Sequence, residues 1–252
     1  MISLLNQVVI ITGGSRGIGA ASAVLFAKAG ADVVITYTKN EKAAISIIES
    51  VKNEGRTCIA IKADVSKQSN AKKIVQQSLK KFGRIDILVN NAGIWTYGEI
   101  GSMSEKLWKE TMRINLDGMF YMTNAVVPLM KKQHRGKIIN ISSTAGQSGE
   151  AEHSHYAASK GGMISFTKAI ATELGQFNIN VNSVAPGWVD TELNDSVFSD
   201  KKYKDQERKK IPLQRIPTPE DIAGPIVFLA SDLARHITGE IMNVNGGSVL
   251  VG

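Results

Sequence analysis

Tyr156 and Lys160 stand four residues apart in Tyr156-Ala-Ala-Ser-Lys160, and Ser143 precedes the tyrosine by thirteen residues. The neighbours Ala157, Ala158, Met163, Ile164, Phe166 and Thr167 suit a helix, on which positions four apart share a face. The Tyr156 hydroxyl and the Lys160 ammonium can then converge as a proton-transfer pair. A phenol titrates at about 10, but a cation within a few ångström favours the phenolate and draws the pKa toward neutrality. The same spacing also fits an ordinary pair on a helix surface, so its meaning depends on the elements that would position it.

Those elements alternate. Val8–Thr12 is a short β-branched run with no polar face, which suits a strand buried on both sides of a parallel sheet. The turn Thr12-Gly13-Gly14-Ser15-Arg16-Gly17-Ile18-Gly19 follows. Glycine there lets the backbone turn tightly and approach a pyrophosphate at a helix N-terminus. In the helix that opens, Ile18, Ala21, Ser22, Leu25, Phe26 and Ala29 recur at helical spacing, and Gly30 is placed to end it. The glycine spacing is Gly-x3-Gly-x-Gly rather than the Gly-x-Gly-x-x-Gly of many dinucleotide folds, and the strand before and helix after it make dinucleotide binding the reading.

Further strands are expected at Val33–Thr36, Thr57–Ile61, Ile87–Asn90, Lys137–Ile141, Asn180–Ala185 and near Ile241–Val244. Helices are expected over Lys39–Glu54, after Asp64-Val-Ser66 with Ala71, Ile74, Val75, Leu79 and Phe82 as the buried stripe, around 104–133 and 156–177, and near Pro219–Ala230. This alternation implies right-handed βαβ crossovers and a parallel sheet with helices on both faces. The stretch from Trp188 to Pro217, rich in Lys, Asp and Ser, reads as an irregular loop following the end of a strand, hence a substrate-binding lid or, failing that, a solvated insertion.

At 252 residues and 43% hydrophobic, with no break in composition, the chain reads as a single α/β domain. No apolar run reaches the roughly 18 residues that span a membrane, and the N-terminus has no signal-peptide pattern, so a cytoplasmic location without membrane contact is the expectation. The single cysteine, Cys58, reads as a buried strand residue. The formal net charge of +7 is compatible with nucleic acid, an acidic protein partner or a polyphosphate cofactor, and charge alone does not choose.

The Thr12–Gly19 turn, Asn90-Asn-Ala-Gly93, Asn115, Ser143, Tyr156-x3-Lys160, and Pro186-Gly187 followed by Thr191 together resemble the short-chain dehydrogenase/reductase family in identity, order and spacing. The resemblance covers essentially the whole chain and, with the tail Ile237–Gly247, is similar in particular to the group of 3-oxoacyl-[acyl-carrier-protein] reductases. It implies a Rossmann-type, doubly wound fold with a seven-stranded parallel sheet and a catalytic set of Asn115, Ser143, Tyr156 and Lys160. In such a set Ser143 hydrogen-bonds a carbonyl oxygen and Tyr156 delivers a proton. Lys160 lowers the tyrosine pKa and holds the nicotinamide ribose, while Asn115 anchors a water chain behind it, which requires a local helix distortion. The cofactor contacts implied are Gly13, Ser15, Arg16, Gly17, Ile18 and Gly19 in the turn, Tyr37 and Thr38 after the second strand, Asp64 and Val65 after the third, Asn91, Ala92 and Gly93 after the fourth, Tyr156 and Lys160, and Pro186, Gly187, Val189 and Thr191 after the sixth. Asn90 either lines the cofactor cleft or stabilises the sheet, and Asp64 either accepts from the adenine amino group or caps the following helix.

An acidic residue at the end of the second strand would bind the adenosine ribose and repel a 2′-phosphate. Here Thr36-Tyr37-Thr38-Lys39 stands instead, and the guanidinium of Arg16 suits that phosphate, so NADPH/NADP+ is the expected cofactor. His153 and His155 lack further ligands at metal spacing and are expected to line the substrate entrance or face solvent, with no metal site. The basic run Lys131-Lys132-Gln133-His134-Arg135 reads either as a helix C-terminus or as a dock for an acidic carrier protein. In the resembling group two arginines serve that docking, and here His134 and Phe177 stand at the matching positions. The functions left standing are an NADPH-dependent 3-oxoacyl-carrier reductase, a reductase or dehydrogenase of a free ketone, sugar or secondary alcohol, and a non-catalytic dinucleotide sensor or nucleic-acid binder. An intact proton relay argues against the last, so no nucleic-acid partner is expected. Apolar residues on several faces of the 104–133 and 156–177 helices, such as Met112, Phe120, Phe166 and Ile170, ask for a second partner, and the resemblance implies that these helices pair with their symmetry mates and that Asn243–Gly252 forms a contact across another axis, hence a homotetramer.

Overall fold

The computed structural model describes residues 2–251. Seven strands form one fully parallel sheet in the order 3-2-1-4-5-6-7. In chain order the elements are β1 (Val8–Ile11), α1 (Gly17–Lys28), β2 (Asp32–Tyr37), α2 (Glu41–Asn53), β3 (Cys58–Lys62), α3 (Gln68–Phe82), β4 (Ile87–Asn90), α4 (Glu105–Met112) and, after a π-helical turn over Arg113–Asp117, α5 (Gly118–Gln133). Then come β5 (Gly136–Ile141), α6 (Ala145–Ser148), α7 (Ser154–Leu174), β6 (Ile179–Pro186), α8 (Asp195–Phe198), α9 (Lys201–Lys210), α10 (Pro219–Ala230) and β7 (Ile241–Val244).

The period of two along each strand divides the core. Val9 and Ile11 pack with Phe26 of α1 and with Ile222 and Ile226 of α10 on one face. Val8 and Ile10 meet Ile74 of α3, Met122 and Val126 of α5 and Leu174 of α7 on the other. Both faces are covered, which is why β1 is apolar along its whole length. The sheet order reverses between β1 and β4, and there the connections leave in opposite directions and open a crevice at the strand C-termini.

Two asparagines in register, Asn90 and Asn140, tie that end of the sheet to its helices. Asn90 Nδ2 donates to Asn140 Oδ1 at 2.9 Å and to Thr123 Oγ1 of α5 at 3.1 Å, and Asn140 Nδ2 donates to Thr167 Oγ1 of α7 at 2.9 Å. Of the two readings of Asn90, sheet stabilisation is the one these bonds support, since its side chain is buried inside the layer rather than turned to the cleft.

The strands fall within one or two residues of their expected positions. The 188–217 stretch is a correction: it holds the helices α8 and α9. Nine of the ten residues in α9, Lys-Lys-Tyr-Lys-Asp-Gln-Glu-Arg-Lys-Lys, are charged or amide-bearing, and its one buried side chain is Glu207, so no apolar period announces it. Its start is set by Asp200, whose carboxylate accepts from the backbone of Lys202 and Tyr203. The helix bearing Tyr156 begins two residues earlier than expected and ends at Leu174. Among the described residues no helix is long and apolar enough to cross a membrane.

Candidate active site

The glycine turn lies where β1 gives way to α1. Gly13 (φ +63°) and Gly17 (φ +51°) occupy the left-handed region that a side chain disfavours, and a Cβ on Gly19 would sit 2.5 Å from the Gly13 carbonyl oxygen. Asn91, at the end of β4, holds the turn by donating from Nδ2 to the carbonyls of Thr12 at 2.9 Å and Gly13 at 3.1 Å. Thr12 Oγ1 accepts in return from the amides of Asn91 and Ala92. Helix α1 opens with no side-chain cap and no acidic residue in its first turn, so its leading amides are left for an anion. Arg16 stands exposed at that opening, and a Cβ on Gly17 would touch Thr191 at 3.3 Å. Ser15 and Ile18 are half-buried in the same turn.

Around this turn the other expected positions gather at the strand ends. Tyr37 is buried at the end of β2 while Thr38 and Lys39 are exposed beyond it. Pro186 closes β6, Gly187 donates to the Val244 carbonyl at 3.3 Å, and Val189 is buried behind Thr191. Asp64 does not cap α3, whose cap is Lys67. Its Oδ1 accepts from the amide and hydroxyl of Ser66, and its Oδ2 faces Arg113 Nη1 at 3.4 Å. Burial pushes this carboxyl up, but the Ser66 hydrogen bonds and the Arg113 charge prevail and hold it below the usual carboxylate range. Val65 beside it is buried.

Ser143 follows β5, Tyr156 and Lys160 project from the first turns of α7, and α6 presses against α7 between them. A Cβ on Gly146 would lie 2.6 Å from the Lys160 carbonyl carbon, so this approach of two helices needs a glycine. Ser143 faces the Tyr156 phenol, and its hydroxyl favours the phenolate. Lys160 is 5% exposed, donates from Nζ to the Ile141 carbonyl at 2.6 Å, and lies 5.7 Å from the centre of the Tyr156 ring. Asn115, fully buried in the π-turn, accepts from Ile94 N at 2.8 Å and donates to Ser159 Oγ at 3.1 Å. A Cβ on Gly93 would meet both Asn115 Oδ1 at 3.2 Å and Lys160 Nζ at 3.7 Å, which puts the two side chains on one side of the crevice. The helix distortion expected at Asn115 is this π-turn, in which Gly118 N donates five residues back to Arg113.

The electrostatics differ from the sequence-based expectation. Burial pushes the Tyr156 phenol up to about 12, Ser143 pulls it down and the Glu150 charge adds to the rise. The Lys160 ammonium donates to the Ile141 carbonyl rather than to the phenol, and burial draws the lysine itself down to about 8.

One wall of the crevice was not legible in the sequence. Trp95 Nε1 donates to Glu150 Oε1 at 3.1 Å, and its ring stacks on His153 with centroids 4.3 Å apart and planes 8° from parallel. Trp188 meets Trp95 edge-on at 5.6 Å, packs on Phe198 of α8 and Tyr203 of α9, and donates to Glu207 Oε2 at 3.0 Å. His153 and His155 are both buried, so neither faces solvent; His155 Nε2 lies 2.9 Å from Thr96 Oγ1, and burial pulls its pKa down. Among the described residues no cluster of three or more His, Cys, Asp or Glu is placed to hold a metal.

Residues 13–248 match the family model described as Enoyl-(Acyl carrier protein) reductase. The chain belongs to the short-chain dehydrogenase/reductase family. A 3-oxoacyl-[acyl-carrier-protein] reductase of Synechocystis sp. is 40% identical over 99% of this chain and 100% of its own length. An L-rhamnose 1-dehydrogenase (NAD(P)(+)) of Azotobacter vinelandii is 39% identical over 97% of both. The crystal structure of a Sinorhizobium meliloti 1021 protein, described as a short-chain alcohol dehydrogenase, superposes with a TM-score of 0.93 at 33% identity, over 98% of this chain and 97% of that one. This short-chain dehydrogenase/reductase is an oxidoreductase of a family that uses a nicotinamide dinucleotide. The uncapped α1 terminus and the side-chain-free surfaces of Gly13, Gly17 and Gly93 fit such a group.

The displaced lysine pKa makes stability depend on pH. Below about pH 8, Lys160 is charged in both folded and unfolded chains and its burial cost is carried in full. As pH rises from about 8 toward the ordinary 10.5, the folded chain sheds the proton while the unfolded chain keeps it, so the folded state gains. Urea unfolding of the free protein between pH 7 and 10 should therefore show wild type gaining about 1–3 kcal/mol relative to Lys160→Met. Parallel curves for the two proteins would place the Lys160 pKa elsewhere.

Proposed function

We propose that the chain is an NADPH-dependent reductase that converts a carbonyl to a secondary alcohol, with a 3-oxoacyl thioester on acyl carrier protein as its substrate. The observation that carries the chemistry is the Tyr156 phenol facing Ser143 with its pKa near 12. At neutral pH this phenol holds its proton, as a donor to a developing alkoxide must. The Ser143 hydroxyl hydrogen-bonds the substrate oxygen and strengthens that bond as negative charge grows. Lys160, drawn down to about 8, is poised to return a proton to the phenol, and Asn115 orders the crevice behind it. The nicotinamide, when bound, supplies the hydride.

For the cofactor, the support is the crevice itself. The α1 terminus and the glycines from Gly13 to Gly19 receive the pyrophosphate, Asp64 and Val65 the adenine side, Asn91 to Gly93 the middle, and Pro186 to Thr191 the nicotinamide side. NADPH is favoured over NADH because Tyr37, Thr38 and Lys39 at the end of β2 carry no carboxylate, the first being Glu41 at the start of α2, where it meets the Tyr37 hydroxyl, and because Arg16 is exposed in the glycine turn. For the substrate, the support is the name shared by several relatives at 37–42% identity. Within the basic run, Lys131 pairs with Glu173 at 3.4 Å and Arg135 with Asp232 at 3.5 Å, which leaves Lys132, exposed and without an ion pair among the described residues, to face an acidic carrier. Helices α8 and α9, through Trp188, serve as the lid over the site. Assembly is read as a homotetramer from Trp108 and Phe120, large apolar side chains 39% and 43% exposed on α4 and α5.

Tyr156→Phe should lower turnover of an acetoacetyl thioester at least about 100-fold while leaving NADPH affinity nearly intact. A variant keeping more than about a tenth of wild-type turnover, with chemistry limiting, sinks the role. Arg16→Ala should weaken NADPH far more than NADH in a binding titration, and equal losses would assign the residue to the shared pyrophosphate instead. Light scattering should give about four times the 27.2 kDa of one chain, and a mass near one chain refutes the tetramer.

A further inference from the structure

Beside the reacting groups, the loop that follows β4 and the loop that precedes α7 are fastened to each other. Gly98 N donates to the Glu152 carbonyl at 2.8 Å, and Gly98 forms an isolated parallel bridge with His153. Trp95 Nε1 donates to Glu150, and Thr96 Oγ1 lies 2.9 Å from His155 Nε2. The His153 ring stacks on Trp95 and meets Tyr97 edge-on at 6.0 Å. Glu152 stands at φ +63° without being a glycine, a strained backbone that these contacts hold. Both loops are tied to the catalytic set. Ile94 exchanges two hydrogen bonds with Asn115, and the His153 carbonyl accepts from Ala157 N at 2.9 Å in the first turn of the helix that bears Tyr156. Trp188 reaches the same wall from the lid, edge-on to Trp95 and bonded to Glu207.

A wall fixed at this many points does not yield to added volume: an extra methylene must displace a ring or stay outside. It would also take water from Glu150, whose side chain is only 26% exposed and has no lysine or arginine partner among the described residues. A 3-oxoacyl thioester carries two carbon substituents on its reacting carbonyl, whose oxygen Ser143 and Tyr156 hold. The thioester arm has to leave the crevice toward its carrier, which turns the alkyl chain toward the wall.

We infer that this wall restricts the substrate to short acyl chains, with Trp95 as the residue that sets the limit and Trp188 closing the space from the lid. The inference rests on the 3-oxoacyl thioester reading and narrows it. Trp95 is suited to the task because its ring touches His153 of the opposite loop and Trp188 of the lid, while its N–H is anchored on Glu150, so it does not rotate aside as an unbonded side chain would.

The test uses the purified full chain with NADPH and N-acetylcysteamine thioesters carrying 3-oxobutanoyl, 3-oxohexanoyl, 3-oxooctanoyl and 3-oxodecanoyl groups. Between the butanoyl and octanoyl compounds kcat/KM should fall about 10-fold or more. Trp95→Ala, and separately Trp188→Ala, should each raise the octanoyl-to-butanoyl ratio of kcat/KM at least about 10-fold, chiefly through KM for the longer chain. Trp95→Phe, which keeps a ring in the stack, should raise it less than Trp95→Ala does. The ratio is taken within one preparation, so partial loss of folded enzyme does not move it. A flat or rising chain-length profile, or a ratio that Trp95→Ala leaves unchanged, overturns the inference and leaves the reductase reading standing; should Trp95→Ala not fold, Trp188→Ala decides in the same way. Failure to reduce any of the thioesters, with NADPH bound, overturns both.

Discussion

A lysine 5% exposed, held by one backbone carbonyl, costs free energy that the surrounding structure must offset. The crevice is built around that constraint. Lys160 reaches the Ile141 carbonyl at the end of β5, and beside it α6 lies close enough on α7 to touch its backbone, an approach that depends on Gly146. The space beside Nζ is kept by Gly93 on one side, and Asn115 closes the crevice through bonds to Ile94 and Ser159. Burial here is functional as well as costly. It brings the ammonium down to about 8, where proton exchange at neutral pH is feasible.

The sheet supplies the rigidity that this arrangement needs. Each strand of the central group is buried on both faces, so the ends of β4, β5 and β6 are fixed by packing before any site residue is considered. The buried chain from Thr123 through Asn90 and Asn140 to Thr167 then fixes α5 and α7 against those ends. Each of its members leaves an unsatisfied polar group if another is removed, which couples α5, next to the π-turn that carries Asn115, and α7, which carries Tyr156, to the same strands.

Tyr156 feels both Ser143 and Glu150, the carboxylate that Trp95 holds, and burial and the carboxylate outweigh Ser143. The phenol is thereby set as an acid. The segment carrying α8 and α9 bears on the same balance, since Trp188 touches Trp95 and Glu207 faces Glu150 closely enough to raise its pKa, although burial is the larger cause.

The sequence by itself determined the architecture. Unbroken apolar strands, helical stripes and a glycine turn between them are local patterns, and local patterns fix element type and order. It also named Ser143, Tyr156 and Lys160, because residue type and short spacing carry that chemistry. Tertiary structure decided what depends on distant segments meeting. The direction of the Lys160 ammonium is set by a carbonyl nineteen residues away, Asn90 is consumed by β5 and α5, and Asp64 is held by Ser66 and Arg113 rather than by a helix terminus. The Trp95–Glu150 pair joins residues fifty-five positions apart, and α9 is charged along most of its length. No periodicity encodes either one: the pair exists because folding desolvates the Glu150 carboxylate and brings an indole N–H to it, and α9 because Asp200 caps it and Trp188 meets its buried Glu207.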